Sequence, residues 1–540
     1  MSLTLRLTSL TTKPIWSDEF STLVFSLGKS FQTIPLDKLI SLDTLLSPLQ
    51  IDTELGITSV AHNLLNESNH PPIYFMLTNW WVKLFSSDGE FVSLWGARSL
   101  SAIFGTFSVP AIFLLSLLAF RSPLVGQIAG ALMAVSPFGI YLAQETRHYT
   151  LAILFVIASL GFFIVAIDKI QQKTPLPFWM VFAWVIVNAL GIAVHFFFPF
   201  TLCAQGLVFL WFWIRDWRQN YPKLPASKIW QGIYTAALGT AISGIIWIPI
   251  FIGAVNSNSG LVDWTSHGDP IGQFIEPIAR MIVWWITMIA ILPVENQPLF
   301  IIIISVLIML GITGLTVWLL IKNYCYFPKK WQLSWKVLTG LVTSNSAIII
   351  LITYGLSIDL TLVARYQFVH FPAIIILISV GFAGAWENRN YWQKKAVIFI
   401  GTLGLISSFI VVNNLAYQKP DRSDLVVSAI AKTLTPEIPK LIATVEKTHE
   451  QTGEMMSIAW ELKKLIPSQN YPMFLLAHKS GDSTIPVNTL NQTLAQLPKP
   501  LNLWVVNFAA PFQPETQNCI FNPESKSRVS GYYFRMYQCQ

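Results

Sequence analysis

Stretches of about 20 apolar residues recur along this chain, each long enough to cross the hydrocarbon core of a bilayer. Ten are read, at 97–120, 124–143, 149–167, 178–194, 198–214, 229–253, 299–321, 337–357, 366–386 and 396–416. In lipid a backbone must satisfy its own hydrogen bonds, so such segments build helices or a closed barrel. Continuous rather than alternating apolar runs select helices. Composition agrees: 53% of the 540 residues are hydrophobic and 12% charged, against roughly 25% charged in a soluble domain. A disordered chain, a coiled coil and an ordinary cytosolic enzyme are excluded. Two shorter apolar segments, 71–85 and 277–292, read as helices lying in or dipping into the interface. There Trp80, Trp81, Trp284 and Trp285 bury their rings and wet their N–H groups.

The loops give the orientation. Arg121, Lys169, Lys173, Arg215, Arg218, Lys223, Lys228, Lys322, Lys329, Lys330, Lys336, Arg389, Lys394 and Lys395 fall on alternate ends of the spans, hence on one side. By the positive-inside rule that side is the cytoplasm of a plasma membrane. The net charge of +7 follows from these loops, and their scatter leaves no footprint for nucleic acid. The outer side then receives 1–96, 144–148, 254–298, 357–365 and everything after 417. Few cations lie there, and most sit beside a span: Arg98, Arg147, Arg280 and Arg365. Cations placed against the orientation rule point to an anionic ligand at the outer face.

The predicted fold is therefore an all-α polytopic membrane protein of about 10–11 transmembrane helices with a small C-terminal α/β domain. Residues 1–417 form the membrane domain, with a first outer loop at 10–96 and spans over 97–416. Residues 418–540 form the extracytoplasmic domain. Gly453–Leu465 reads as an amphipathic helix, and Met473–Ala477 and Leu501–Val506 read as strands. Cys519 and Cys539 can pair outside the cytoplasm, whereas Cys203 lies in an apolar run and Cys325 in a basic loop. Met1–Pro14 lacks the apolar core of a signal peptide. Leu3–Leu7 reads as the end of a helix whose beginning is missing. No internal repeat is visible.

The outer loops carry four polar clusters: Trp16-Ser17-Asp18-Glu19, Asn69-His70-Pro71-Pro72, Ser136-Pro137 with Gln144-Glu145-Thr146-Arg147-His148-Tyr149, and Arg365-Tyr366 with Pro372. Each alone is unremarkable. A carboxylate pair caps a helix or a turn, a loop histidine hydrogen-bonds locally, and an arginine near a span snorkels. Together, ionisable groups from several loops of one face describe a cleft at the membrane surface, where charge is costly and marks function. A carboxylate can deprotonate an acceptor hydroxyl, and arginines can hold a departing phosphate. His195 reads either as an interfacial histidine or as a wall of that cleft. Asp263, Asp269 and Glu276 read as solvated loop acids.

These clusters, with Gly96-Ala97-Arg98-Ser99 opening a span, resemble in order and spacing the GT-C glycosyltransferases of the protein-O-mannosyltransferase-like branch. That branch includes bacterial enzymes that modify lipid A. The resemblance covers about 370 residues and implies an integral membrane glycosyltransferase. Its donor is a sugar on a polyprenyl phosphate, its acceptor a hydroxyl of a lipid, polysaccharide or protein, and its product usually inverted. It implies that Asp18, supported by Glu19, is the general base or binds a divalent metal ion. It further implies that His70 and Pro71 shape the site, and that Arg98, Arg147 and Arg365 contact the donor phosphate with Glu145, Tyr149 and Tyr366 nearby. No nucleotide cofactor is implied, and the chain has no Gly-rich phosphate loop. The rival readings are a lipid-linked-sugar transporter or flippase, and a non-catalytic binder of lipid-linked sugar. A transporter calls for midplane charges and repeated halves; here the charges gather at one face.

Overall fold

The structure is a computed structural model that describes residues 1–68, 70–220, 228–250, 252, 275–388, 390–432, 438–482, 484–523 and 527–540. Asn69 and the loop acids Asp263 and Asp269 lie outside the described residues. Among those described, seven helices are long and apolar enough to cross a membrane. They are Leu94–Phe120, Tyr149–Gln171, Phe198–Asn220, Lys228–Ile245, Leu299–Tyr324, Lys329–Gly355 and Tyr391–Val412. The chain is a multi-pass membrane protein.

The other three expected spans depart from a single straight crossing. Residues 124–143 form two helices, Pro123–Val135 and Pro137–Ala143, bent by 55°. The break has local causes. The Arg6 guanidinium donates to the carbonyls of Met133 and Ala134 at 3.0 and 3.2 Å. It thereby satisfies acceptors that a helix end leaves free. Ser136 then accepts from the Gly139 amide and starts the next helix, with Pro137 in its first turn. Gly105 makes room for this junction, since a Cβ there would stand 2.8 Å from the Ala143 Cβ and 3.1 Å from Arg6 Nε. Residues 178–194 yield a helix of 15 residues, Phe178–Ile192. In 366–386 the first residues wind as the 3-10 helix Ala364–Val369, and the α-helix is Phe371–Glu387, with Pro372 in its first turn. The two tryptophan-rich segments form short helices, Ile73–Val82 and Glu276–Thr287.

The tail builds a mixed sheet. Strands Lys440–Glu446, Met473–His478 and Leu501–Val506 are parallel, and helices His449–Leu465 and Thr484–Gln496 fall between them in the chain. Tyr532–Cys539 runs antiparallel to Leu501–Val506. Cys519 pairs opposite Cys539 in that sheet, and the two form a disulfide. Cys203 and Cys325 are free. The sheet's other edge comes from the distant first loop: Leu39–Ile40 pairs antiparallel with Phe474 and Leu475.

Further ties join first loop and tail. The Ser457 hydroxyl donates to the Ile15 carbonyl, and the Asp421 carboxylate accepts from the Ser17 amide at 2.9 Å. Gly453 lies against Ser17, where an added Cβ would meet the Cα and the carbonyl oxygen, both at 3.3 Å. Backbone atoms cannot rotate away, so a larger side chain must push the two segments apart. Gly453→Val should therefore cost about 1–3 kcal/mol, the usual range for overpacking. Thermal unfolding of the solubilised protein checks this, and an unchanged midpoint would mean the approach is looser than described.

Candidate active site

Trp16 is extended and precedes the helix Ser17–Ser26, with Asp18 and Glu19 in its first turn. Carboxylates there favour the positive end of the helix dipole. Successive residues on a helix point about 100° apart, so the two acids face different surroundings. The Asp18 side chain is 33% exposed, and Glu19 is fully buried.

Glu19 is the centre of a sealed ion network. Its two oxygens take a bidentate contact from Arg98, at 2.8 and 2.7 Å, and the Thr146 amide donates to it at 2.8 Å. Lys419 approaches at 3.5 Å and also binds Glu145 at 2.5 Å. Arg98 spends its remaining donors on the carbonyls of Leu10, Lys13 and Pro14. Burial alone would push the Glu19 carboxyl up; the Arg98 and Lys419 cations and the hydrogen bonds hold it below the usual carboxylate range. Lys13, donating to Gln144 at 2.9 Å, is lowered to about 7 by burial and by the neighbouring Lys419.

This corrects part of the sequence reading. Arg98 and Glu145 are not at the face of the cleft but behind it, with Glu19. All five guanidinium donors of Arg98 are engaged, so none is left for a phosphate. Glu19 cannot supply a base to an incoming molecule for the same reason.

Asp18 gathers the other predicted residues. Arg147 Nη2 and Arg365 Nη2 lie 3.2 and 3.5 Å from the same oxygen, Oδ2. Both guanidinium groups are buried, at 3% and 9% side-chain exposure. Arg147 is held by the Asp18 carbonyl and the Thr22 hydroxyl, each at 2.9 Å, and touches His70 Nε2 at 3.2 Å. His70 Nδ1 faces the Ser68 hydroxyl at 3.1 Å. Pro71 is buried just before the helix Ile73–Val82. Arg365 stacks over Trp16 and lies beside Tyr366, 4.7 and 5.6 Å from the ring centres. Tyr149 stands 5.9 Å below Arg147. His195 packs on His148 and Tyr149 at 4.4 and 5.2 Å, so it lies in the wall behind Arg147.

Two guanidinium groups thus share one carboxylate oxygen, and the Nε atoms of both lack a partner. Asp18 is a third exposed, so an anion arriving at that side would meet both guanidinium groups. Among the described residues no three His, Cys, Asp or Glu side chains converge as metal ligands.

Sequence reasoning missed Lys419, Lys13 and Thr22. Lys419 follows the last apolar run by three residues and looks like a membrane anchor; nothing local signals that its ammonium is buried. It also missed Glu450 and Glu454 on the tail helix. Burial, and then Asp18 and Asp421, raise Glu450 to about 7. Burial, and then Asp421, raise Glu454 to about 8.

No family model and no curated protein matches the chain. Solved structures do. The chain is similar to ArnT from Cupriavidus metallidurans bound to undecaprenyl phosphate, at 11% identity, over 99% of this chain and 96% of that one, with a TM-score of 0.50. It is also similar to the archaeal oligosaccharyltransferase AglB from Archaeoglobus fulgidus, in complex with an inhibitory peptide and a dolichol-phosphate. There identity is 12%, over 73% of this chain and 56% of that one, with a TM-score of 0.40. The end-to-end match with ArnT establishes the fold as the GT-C architecture implied by the sequence resemblance.

Glu19→Ala should cost about 3–5 kcal/mol, because it leaves Arg98 buried without its anion; denaturation of the solubilised variant measures this. A loss below about 1 kcal/mol would mean solvent reaches the network. Glu450 and Glu454 bind protons more tightly folded than unfolded. Stability should therefore fall as pH rises from their ordinary 4.5 through about 7 and 8. In a series of melting temperatures across that window, the double variant Glu450→Gln/Glu454→Gln should show a shallower decline than the unaltered protein.

Proposed function

We propose that this protein is an integral membrane glycosyltransferase. It moves a sugar from a polyprenyl-phosphate donor to an acceptor hydroxyl at the extracytoplasmic face, with inversion at the anomeric carbon. The observation that carries this reading is the convergence of Arg147 and Arg365 on one oxygen of Asp18, beside a membrane-spanning bundle. The fold of ArnT, a protein bound to undecaprenyl phosphate, supports a lipid phosphate as the donor's carrier. The loop charges support the sidedness.

In this reading the donor's phosphate sits against Arg147 and Arg365, its isoprenoid tail running between helices into lipid. The acceptor hydroxyl approaches the anomeric carbon from the side opposite the phosphate. A new carbon–oxygen bond forms as the bond to the phosphate oxygen breaks. The hydroxyl proton passes to Asp18, and the electron pair leaves with the phosphate, whose growing charge the two guanidinium groups stabilise. His70, hydrogen-bonded to Arg147, and Trp16, beneath Arg365, fix where those cations stand. Glu19 and Arg98 hold the loop rather than the substrates.

A divalent metal ion does not suit this donor set. One oxygen of Asp18 faces two cations, and among the described residues no three His, Cys, Asp or Glu side chains converge on it. No step is routed through a metal.

Transfer of a radiolabelled sugar from polyprenyl phosphate, assayed on the purified protein, tests the reading. Asp18→Asn should lower turnover about 10²–10⁴-fold, the range for a lost general base. Arg147→Gln and Arg365→Gln should each lower it about 10²–10³-fold. All three should keep the helical signal and elution profile of the parent. Full activity in Asp18→Asn removes that residue from the mechanism. Movement of labelled donor across vesicles without transfer would replace the enzyme reading with the transporter.

A further inference from the structure

A second feature lies at the other end of the helices and plays no part in the reaction. Helix Lys329–Gly355 has 27 residues, a length of about 40 Å at 1.5 Å per residue. Its last turn leads toward Arg365, and its first carries Lys329. Helix Phe198–Asn220 makes the same journey: it starts beside Phe197, whose ring lies 4.5 Å from that of Tyr366, and ends past Arg215. Between these helices, at the end distant from Asp18, opens a groove of about 550 Å³.

The groove has two chemically distinct parts. Arg215, Lys329 and Lys336 belong to its lining, and among the described residues no Asp or Glu does. The rest of the first helix face is apolar, with Leu207, Val208, Trp211 and Phe212, and the second adds Leu333 and Val337 beside the uncharged Gln332, Thr343 and Ser344. On the second helix the lining recurs at 329, 332, 333, 336, 337, 340, 343 and 344, one stripe of a 3.6-residue period. At its floor the helices come together, where a Cβ on Gly340 would lie 3.4 Å from Val208. Arg215 rests over Trp211, 5.8 Å from the ring centre, which keeps its guanidinium on this side. A second cavity, about 740 Å³, lies across the same helix, but there Arg121 is paired with Asp168 at 3.2 Å. Of these two cavities, which share Lys329, Leu333 and Val337, the smaller has no lining carboxylate among the described residues.

Cations that merely snorkel reach past an apolar surface to water. These three rim a concavity whose volume falls within the range of ligand sites, about 300–1,000 Å³. We propose that the groove binds an anionic phospholipid of the bilayer. Its phosphate lies among Arg215, Lys329 and Lys336, and an acyl chain runs between the two helices toward Gly340. The site is independent of the transfer reaction.

The test uses the full-length protein in detergent, with phosphatidylglycerol, phosphatidylcholine of the same chains, and a polyprenyl phosphate as separate additions. Native mass spectrometry reads retention, and thermal unfolding reads stabilisation. Phosphatidylglycerol should be retained and should raise the melting temperature, with phosphatidylcholine doing neither. Arg215→Gln, Lys329→Gln and Lys336→Gln should weaken retention about fivefold for each cation removed. The control Lys394→Gln/Lys395→Gln should bind as the parent does. Equal retention of phosphatidylcholine, or undiminished phosphatidylglycerol binding by the triple variant, would overturn the proposal. So would preferential capture of polyprenyl phosphate through the same three residues, which would assign the groove to the donor lipid. Matching melting temperatures for the triple variant and the parent without lipid keep a folding defect from imitating the loss.

Discussion

A carboxylate with no access to water fixes the geometry of the face that carries Asp18. Glu19 takes both prongs of Arg98 from the start of a spanning helix, an amide from the 144–149 loop, and the approach of Lys419 from the chain beyond the last helix. Removing such an ion from water is costly, and only several partners placed together offset that cost. Four distant segments must therefore meet before any of these charges is tolerable. Once they meet, Asp18, one residue away and one helical step round, has little freedom to be anywhere but in front of Arg147 and Arg365. The buried acid thus positions the one proposed to react.

The two acids also show how burial separates roles in adjacent residues. Asp18 and Glu19 share a helix turn and a dipole, yet one remains a third exposed and the other sees no solvent. Arg98 and Arg147 divide in the same way. The first has every donor satisfied by protein; the second meets an oxygen of Asp18, whose side chain is a third exposed.

Much of this was legible in the sequence. Uninterrupted apolar runs specify helices because lipid offers no other partner for the backbone, and the strands at 473–478 and 501–506 were visible as short apolar bursts between amphipathic stretches. Arg147, Arg365, His70 and Tyr366 could be gathered as a cluster because cations on the sparsely charged side needed a reason. Direction was not legible. Nothing in a string of letters tells that Glu19 turns inward while Asp18 turns out, or that Arg98 is spent on carbonyls of residues 10–14. The bend at Ser136-Pro137 depends on Arg6, more than 120 residues away in the chain. Lys419 was hidden for the same reason, since an interior ammonium and a surface one have identical sequence neighbourhoods.

The two-residue strand Leu39–Ile40 has a consequence for how the molecule comes into being. It edges a sheet whose other strands, from Lys440 onward, are synthesised long after it, and Asp421 and Lys419, which brace the same loop, also follow the membrane helices. Contacts so distant along the chain cannot close until the later segment has been made. A ribosome-bound intermediate already threaded into the bilayer therefore holds its first loop unfinished. Competence arrives in one late event, so a polypeptide cut short by premature termination would be inserted yet inert.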